Sequence, residues 1–265
     1  MTSAARRIRV GSYNLRDGGL DRGDDTRLQR QLRMLAAQEL DIVGLQEAKY
    51  WDRDHRRLLY AAEHALGMRA VLVESSHHGC HLVTLVRPPL RIIEERHETG
   101  HPYWHAASCL RIHIGDEHAG GDEREIDVVN THLAPSSPQA RQQEAEAMRL
   151  LVKDRPVIAL GDFNAAAVDD PVLAEKVTAP LARRKLETGP AEALLETGLV
   201  DAGAHLGDLT PTVGHAGGLA YRCDRIYTTR PQWVIGHEVA VTSDSDHALV
   251  VASFALGTSA TVSAT

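Results

Sequence analysis

The stretch Pro156-Val157-Ile158-Ala159-Leu160-Gly161-Asp162-Phe163-Asn164 decides how this chain is expected to fold. Its first five residues are an uninterrupted apolar run, which predicts a buried strand, and Gly161 ends that run. The carboxylate of Asp162 and the carboxamide of Asn164 are then expected side by side at the edge of a sheet. Such a pair can hold a water molecule and a phosphate oxygen together, although Gly-Asp after a strand is often only a turn, and the stretch gains weight because the same arrangement recurs along the chain.

Five other strand-like segments carry polar side chains at or near one end. These side chains belong to Asn14, Glu47, Asn130-Thr131-His132, Asp224 and Ser245-Asp246-His247. Carboxylate and amide oxygens suit Mg²⁺ or Mn²⁺, and imidazoles suit proton transfer or phosphate binding. Any one of these residues would ordinarily be a turn or surface residue. The set of six segments, in one order, indicates a functional site.

The six segments resemble the endonuclease/exonuclease/phosphatase superfamily, the deoxyribonuclease I-like hydrolases. The resemblance runs from Asn14 to His247 and includes Asn130-Thr131-His132-Leu133, Gly161-Asp162-Phe163-Asn164 and Arg222-Cys223-Asp224-Arg225-Ile226. It implies an α/β (α+β) fold, a four-layer sandwich of two packed mixed β-sheets flanked by helices. The site is then expected at one rim of the sandwich.

The resemblance also implies a divalent-metal-dependent hydrolase of phosphate esters, with phosphodiesters as the favoured class. The expected ligands of Mg²⁺ or Mn²⁺ are Glu47, Asn14 and Asp246. The expected catalytic residues are Asp162, His247, His132, Asn164 and Asp224. Asp162 would deprotonate the attacking water, and Asp224 would orient and charge the ring of His247. The sequence does not separate the roles of His132 and His247.

Four residues are candidates for binding the substrate: Asn130, Arg16, His78 and His105. Arg16 stands where some DNA-repair relatives have an acidic metal-site residue, so a second metal ion is in question. Arg16 would instead contact a phosphate or face solvent. The loop around His78 also holds His77, Cys80 and His81, and a second metal site there is an alternative reading.

The sequence predicts one domain over residues 1–256, and the small, polar residues 257–265 are expected to form a flexible tail. Helices are predicted over residues 26–38, 55–66, 139–152 and 191–196. Residues 115–123 are expected to form an exposed turn. The basic run 183–185 is expected on a solvated helix face.

Composition limits the classes of function. The chain has 265 residues, a net charge of -7, three cysteines and only 4% aromatic residues. The odd number of cysteines without a Cys-x-x-Cys pair argues against a disulfide framework or a structural zinc site. With no apolar signal segment and no membrane-length run, we expect a cytoplasmic protein, and no protein partner is predicted.

Two alternatives to the phosphodiesterase interpretation remain open at this point. One is a DNA or RNA nuclease acting in repair or turnover, which a basic groove would support. The negative charge and the few aromatic residues argue against extended nucleic-acid binding. The other is a non-catalytic binding module on the same fold, against which the full set of polar residues argues.

Overall fold

The computed structural model describes residues 6–115, 125–153, 155–170 and 177–256. The predicted tail and nearly all of the predicted turn at 115–123 lie outside these ranges. Within the described ranges, no helix combines the length and the apolar character that crossing a membrane requires.

Two mixed six-stranded sheets form the centre of the fold. The first contains, in spatial order, β11 (Val234–Ala240), β12 (Leu249–Leu256), β1 (Arg6–Asn14), β2 (Ile42–Gln46), β4 (Leu82–Val86) and β3 (Arg69–Val73). The second contains β5 (Arg91–Glu98), β6 (Ala107–His113), β7 (Glu125–His132), β8 (Val157–Asp162), β10 (Asp224–Thr228) and β9 (Val200–Asp201). Each sheet has one parallel pair at its centre, β1 with β2 and β7 with β8, and its other pairs are antiparallel.

Helices flank the two sheets. The described α-helices are α1 (Thr26–Ala37), α2 (Arg57–Leu66), α3 (Pro138–Ala147), α4 (Pro180–Arg183), α5 (Gly189–Glu196) and α6 (Ala202–His205). Apolar residues of α1 and α2 pack on the first sheet, and those of α3 and α5 pack on the second. A third apolar cluster fills the space between the sheets. The four-layer sandwich predicted from the sequence is therefore confirmed.

The four predicted helices are present with small differences at their ends. The third ends at Ala147, and a single 3₁₀ turn continues it over Met148–Leu150. The fourth begins at Gly189, two residues before the predicted start. Propensity does not place such ends, because capping and packing decide them.

Two polar side chains join the sheets across the apolar centre. Gln46 donates from Nε2 to Asn130 Oδ1 at 2.8 Å, and Asn130 Nδ2 donates to Val83 O at 3.1 Å. Gly44 lies beside them, where a Cβ would come within 2.0 Å of a Leu160 methyl group. The close approach of the sheets requires glycine there, and the hydrogen bonds fix how one sheet lies on the other.

Candidate active site

The parallel pairs of the two sheets end at the same rim of the sandwich. Asn14 is aligned with Gln46 at the end of the first pair, and His132 with Asp162 at the end of the second. Asn14 Nδ2 lies 3.0 Å from Asp162 Oδ2, which joins the two sheets at this rim. Because parallel strands share one carboxyl end, polar residues far apart in the sequence meet here.

Asp162 lies at the centre of this group and is 1% exposed. Its Oδ1 accepts the Asn164 N–H at 2.9 Å, and its Oδ2 lies 3.4 Å from His132 Nε2 and 3.8 Å from His247 Nε2. Burial opposes the charge, but His247, His132 and Lys185 outweigh burial and lower the pKa of Asp162 to about 2. The carboxylate is therefore ionised at neutral pH and can accept a proton.

The ring of His247 stands between two carboxylates. Its Nδ1 lies 2.9 Å from Asp224 Oδ2, and Asp224 in turn accepts a hydrogen bond from Thr212 Oγ1 at 2.7 Å. Burial disfavours the cation, but Asp224 and Asp162 outweigh it and raise the pKa of His247 well above the usual value. The ring is positively charged at neutral pH, with Asp224 holding its orientation.

The surroundings of His132 favour the neutral form of its ring, in contrast to those of His247. It is stacked on His105, with ring centroids 4.4 Å apart, and its Nδ1 is buried without a hydrogen-bond partner. Burial lowers the pKa of His132 to about 4, although Asp162 opposes the shift. The structure thus distinguishes two histidines that the sequence could not: His132 is neutral and His247 is charged.

Glu47 follows β2 and shares the Asn14 side chain with Asp162. Asn14 Nδ2 lies 3.4 Å from Glu47 Oε1, and Glu47 Oε2 accepts the Asp17 N–H at 3.0 Å. The Asn14 oxygen accepts the Arg16 N–H at 2.9 Å, so this amide turns its NH₂ group toward the carboxylates. The Glu47 carboxylate can coordinate a hard cation in its present orientation. The Asn14 side chain can do so only if its amide is flipped, so that the oxygen and not the NH₂ group faces the carboxylates.

Asp246 lies at the same rim and is exposed. The preceding residue, Ser245, donates from Oγ to the backbone oxygen of Asn14 at 2.8 Å, which places this segment beside the end of β1. Across the described ranges, the Asp246 carboxylate has no ion pair, so a cation could recruit it as an oxygen ligand.

A second group of possible ligands lies deeper in the site. Donor atoms of Asp162, Cys223, Asp224 and His247 lie within 4.8 Å of one another. Burial raises the pKa of the Cys223 thiol, which is therefore protonated, and the His247 cation already compensates the carboxylates. A protonated thiol and a charged imidazole are poor ligands for a hard cation, so only the two carboxylates of this cluster suit one.

The predicted substrate-binding residues have different surroundings. Asn130 is fully buried, and its amide bonds to the opposite sheet instead of facing the rim. His105 is 1% exposed and bonds Ser75 Oγ at 3.0 Å beneath His132. Arg16 and His78 are exposed, and the ring of His78 lies 6.2 Å from that of Trp104. Of the four, only Arg16 and His78 are open to a substrate in this structure.

The histidines of the 77–81 loop have separate partners. His77 stacks on Trp104 at 4.0 Å, and His81 Nε2 pairs with Asp52 at 3.2 Å. Their side chains do not converge on one point, so the structure does not support the alternative of a second metal site there.

Sequence reasoning missed two residues that touch the site. Lys185 was expected on a solvated helix face, but α4 ends at Arg183 and Lys185 Nζ donates to Asn164 Oδ1. Thr212 was not among the predicted residues, yet its Oγ1 donates to Asp224 Oδ2 at 2.7 Å. No local signal marks either residue, because both reach the site through tertiary folding. The prediction for Lys185 was wrong for that reason.

The chain matches the profile of the Endonuclease/Exonuclease/phosphatase family over residues 11–247. It belongs to that family. The matched region includes every predicted site residue. No curated protein matches the sequence significantly.

Solved structures of this family share the fold at low sequence identity. A humanized TDP2 from D. rerio has a TM-score of 0.68 and 16% identity, covering 94% of this chain and 98% of its own. A family protein from Beutenbergia cavernae has a TM-score of 0.68 and 20% identity, covering 95% and 72%. ANGEL2, titled a 2',3'-cyclic phosphatase, has a TM-score of 0.66 and 13% identity, covering 94% and 95%. At such identities the likeness extends to the fold alone.

Proposed function

We propose that this protein is a Mg²⁺- or Mn²⁺-dependent hydrolase of phosphate esters, with phosphodiesters as its favoured substrates. The observation that carries the proposal is the position of Asp162. An ionised, buried carboxylate lies within 3.8 Å of one charged and one neutral imidazole, at a rim where Glu47 adds a second carboxylate. Membership of a family that includes phosphoesterases supports the same chemistry.

Asp162 acts as the general base in this proposal. Its Oδ2 takes the proton of the attacking water while its Oδ1 stays bonded to the Asn164 N–H. The Asn164 side chain is held by Leu133 O at 3.0 Å and by Lys185 Nζ, so it presents a fixed amide beside the water. A base held in this way loses little entropy when the substrate arrives.

The two histidines divide the remaining work. The His247 cation stabilises negative charge that develops on the phosphoryl oxygens, with Asp224 holding it in place. His132, neutral and buried, positions the phosphate from the other side through a ring nitrogen. The different charges of the two rings support this division.

Glu47 and Asp246 would hold the metal ion, and Asn14 would join them with its amide reversed. When bound, a divalent cation neutralises charge on the phosphate and the leaving oxygen. The donor set consists of oxygens, which favours Mg²⁺ or Mn²⁺ over softer ions.

We further propose that a small or single-site phosphoester is preferred over long duplex DNA. The net charge of -7 opposes attraction of a polyanion, and aromatic residues are few. One structural relative is a D. rerio TDP2 complexed with single strand DNA product, so short single-stranded DNA remains a candidate substrate.

A panel of substrates tests the proposal. Bis-p-nitrophenyl phosphate, p-nitrophenyl phosphate, plasmid DNA and single-stranded RNA would be assayed with Mg²⁺, with Mn²⁺ and with EDTA. We expect metal-dependent cleavage of the diester, lost by about 10²–10⁴-fold in Asp162→Asn. The exposed Asp169 provides a matched control, since Asp169→Asn makes the same change in charge at the surface. Full activity in EDTA, or an Asp162→Asn variant as active as Asp169→Asn, would contradict the mechanism.

A further inference from the structure

A cavity lies beside the candidate active site, on the side of Glu47. Its volume is about 490 Å³, and its lining includes Asp17, Arg22, Tyr50, Arg53, Asp54 and Arg57. They belong to the segments that follow β1 and β2. Because these two strands are parallel, both segments leave the first sheet at the rim that carries the site.

Asp17 connects the cavity to the site directly. Its N–H donates to Glu47 Oε2 at 3.0 Å, and its carboxylate is paired with Lys49 Nζ at 2.5 Å. A molecule filling the cavity would therefore touch a residue that bonds the proposed metal ligand. Asp17 therefore lines the cavity and bonds Glu47 at the same time.

The cavity has a fixed shape. Gly18 N–H bonds Glu47 O at 2.8 Å, and the Trp51 indole bonds Gly18 O at 3.0 Å, which ties the two segments together. Tyr50 and Asp54 hold left-handed backbone conformations, with φ of 68° and 49°. Non-glycine residues adopt such conformations at a cost, and they are concentrated at sites where geometry matters.

The cavity presents unpaired positive charge. Arg57 is paired with Asp25, and Asp17 with Lys49. Arg22 and Arg53 have no carboxylate partner anywhere in the described ranges, although Arg53 lies 4.7 Å over the Tyr50 ring. Asp54 is the remaining acid, so the lining keeps a net positive charge on a chain of net charge -7. Two neighbouring guanidinium groups without carboxylate partners are well suited to bind the oxygens of a phosphate.

We propose that this cavity binds a second phosphate group of the substrate, next to the phosphate that is hydrolysed. The proposal rests on the proposed function for its choice of substrate class. The second phosphate belongs either to the next linkage of a short nucleic-acid strand or to the terminal phosphate of a small nucleotide. Arg22 and Arg53 bind its oxygens, and Tyr50 holds the Arg53 guanidinium in place.

The test compares dinucleotides that differ only in a terminal phosphate, together with a trinucleotide that carries the second phosphate as its next linkage. Dithymidine monophosphate would be assayed without a terminal phosphate, with a 5′- or a 3′-phosphate, and as part of trithymidine diphosphate. We expect the added phosphate to lower KM by about tenfold, with kcat little changed, as one or two charge-assisted hydrogen bonds allow. The substrate whose KM falls shows whether the cavity binds a terminal phosphate or the next phosphodiester linkage.

Arg22→Gln and Arg53→Gln should each remove most of that gain and leave hydrolysis of bis-p-nitrophenyl phosphate unchanged. Arg69→Gln is the control, because Arg69 is also an exposed arginine but lines a different cavity. The effect should shrink in high salt. A gain that is absent in the native protein, or that persists when both arginines are replaced, would overturn the proposal.

Equilibrium binding in EDTA separates this proposal from the proposed function. Titration with the same dinucleotides reports the second phosphate without turnover. If no diester is hydrolysed but the terminal phosphate still strengthens binding through Arg22 and Arg53, the function fails and the subsite stands. If bis-p-nitrophenyl phosphate is hydrolysed but the added phosphate changes neither KM nor binding, the subsite fails alone.

Discussion

The pairing of Asp224 with His247 makes the most quantitative prediction. His247 faces Asp224 at 2.9 Å and Asp162 at 3.8 Å. At an effective dielectric constant of about 20, a unit charge near 4 Å contributes roughly 4 kcal/mol, so the two carboxylates stabilise the cation by similar amounts. Asp224→Asn removes one of them and keeps the shape of the side chain.

If about 3 kcal/mol of that interaction acts in the transition state, kcat should fall by about 10²-fold in Asp224→Asn. His247→Ala removes the charge entirely and should cost about 10²–10⁴-fold, at least as much as Asp224→Asn. Because both residues act through one ring, the double variant should be no slower than His247→Ala alone.

The assay is steady-state hydrolysis of bis-p-nitrophenyl phosphate with saturating Mg²⁺, for the native protein and the three variants. Circular dichroism and urea unfolding would show that each variant folds. The reasoning fails if Asp224→Asn costs more than His247→Ala, or if the losses in the double variant simply add. Native rates in folded His247→Ala would remove this residue from the mechanism.

Three other replacements test two residues of the site and one buried carboxyl outside it. Glu47→Gln should raise the Mg²⁺ concentration needed for half-maximal rate, which a metal titration measures; an unchanged titration would exclude Glu47 as the ligand. Lys185→Met should lower kcat by about ten- to a hundredfold, because a charged hydrogen bond to Asn164 is lost, with exposed Arg184→Met as the control. Burial raises the pKa of Glu144 to about 7, against its hydrogen bonds from Ala134 N and Trp104 N. The folded state therefore binds this proton more tightly, and the free energy of unfolding should fall between pH 4.5 and about 7 as the pH rises, by at most about 1.4 kcal/mol per unit. Urea unfolding across that range should show a flatter dependence in Glu144→Gln.

The sequence predicted the parts of the site that lie at strand ends. Asp162, Glu47 and Asn14 each follow an apolar run, and two parallel pairs bring such ends to one rim. Apolar runs report which strands are buried, so these strand-end positions could be predicted locally, whereas the four-layer fold was implied by the family resemblance. His132 and His247 differ in protonation state because their burial and neighbouring charges differ. Both depend on distances in the folded chain, which a local sequence pattern does not predict.

Residues that support the site from loops could not be predicted. Lys185 and Thr212 lie in segments without periodicity, and only the folded chain brings them to Asn164 and Asp224. Asn130 was misjudged for a related reason. Asn130 and His132 are two residues apart in β7, so their side chains lie on the same face of the strand. His132 is at the end of the strand and reaches the rim, whereas Asn130 is further inside and faces the other sheet.

The hydrogen bonds of Asn130 with Gln46 and Val83 have a consequence for how such a protein can diversify. The first sheet carries Glu47 and the second carries Asp162, so the spacing between them is set in the interior, far from any substrate. Rim loops can therefore vary without shifting Glu47 against Asp162, except in the segments that carry Lys185, Thr212 and Asp246. Substrate preference and bond cleavage can therefore vary separately in one chain. The first depends on the rim loops, and the second depends on the hydrogen bonds that join the two sheets.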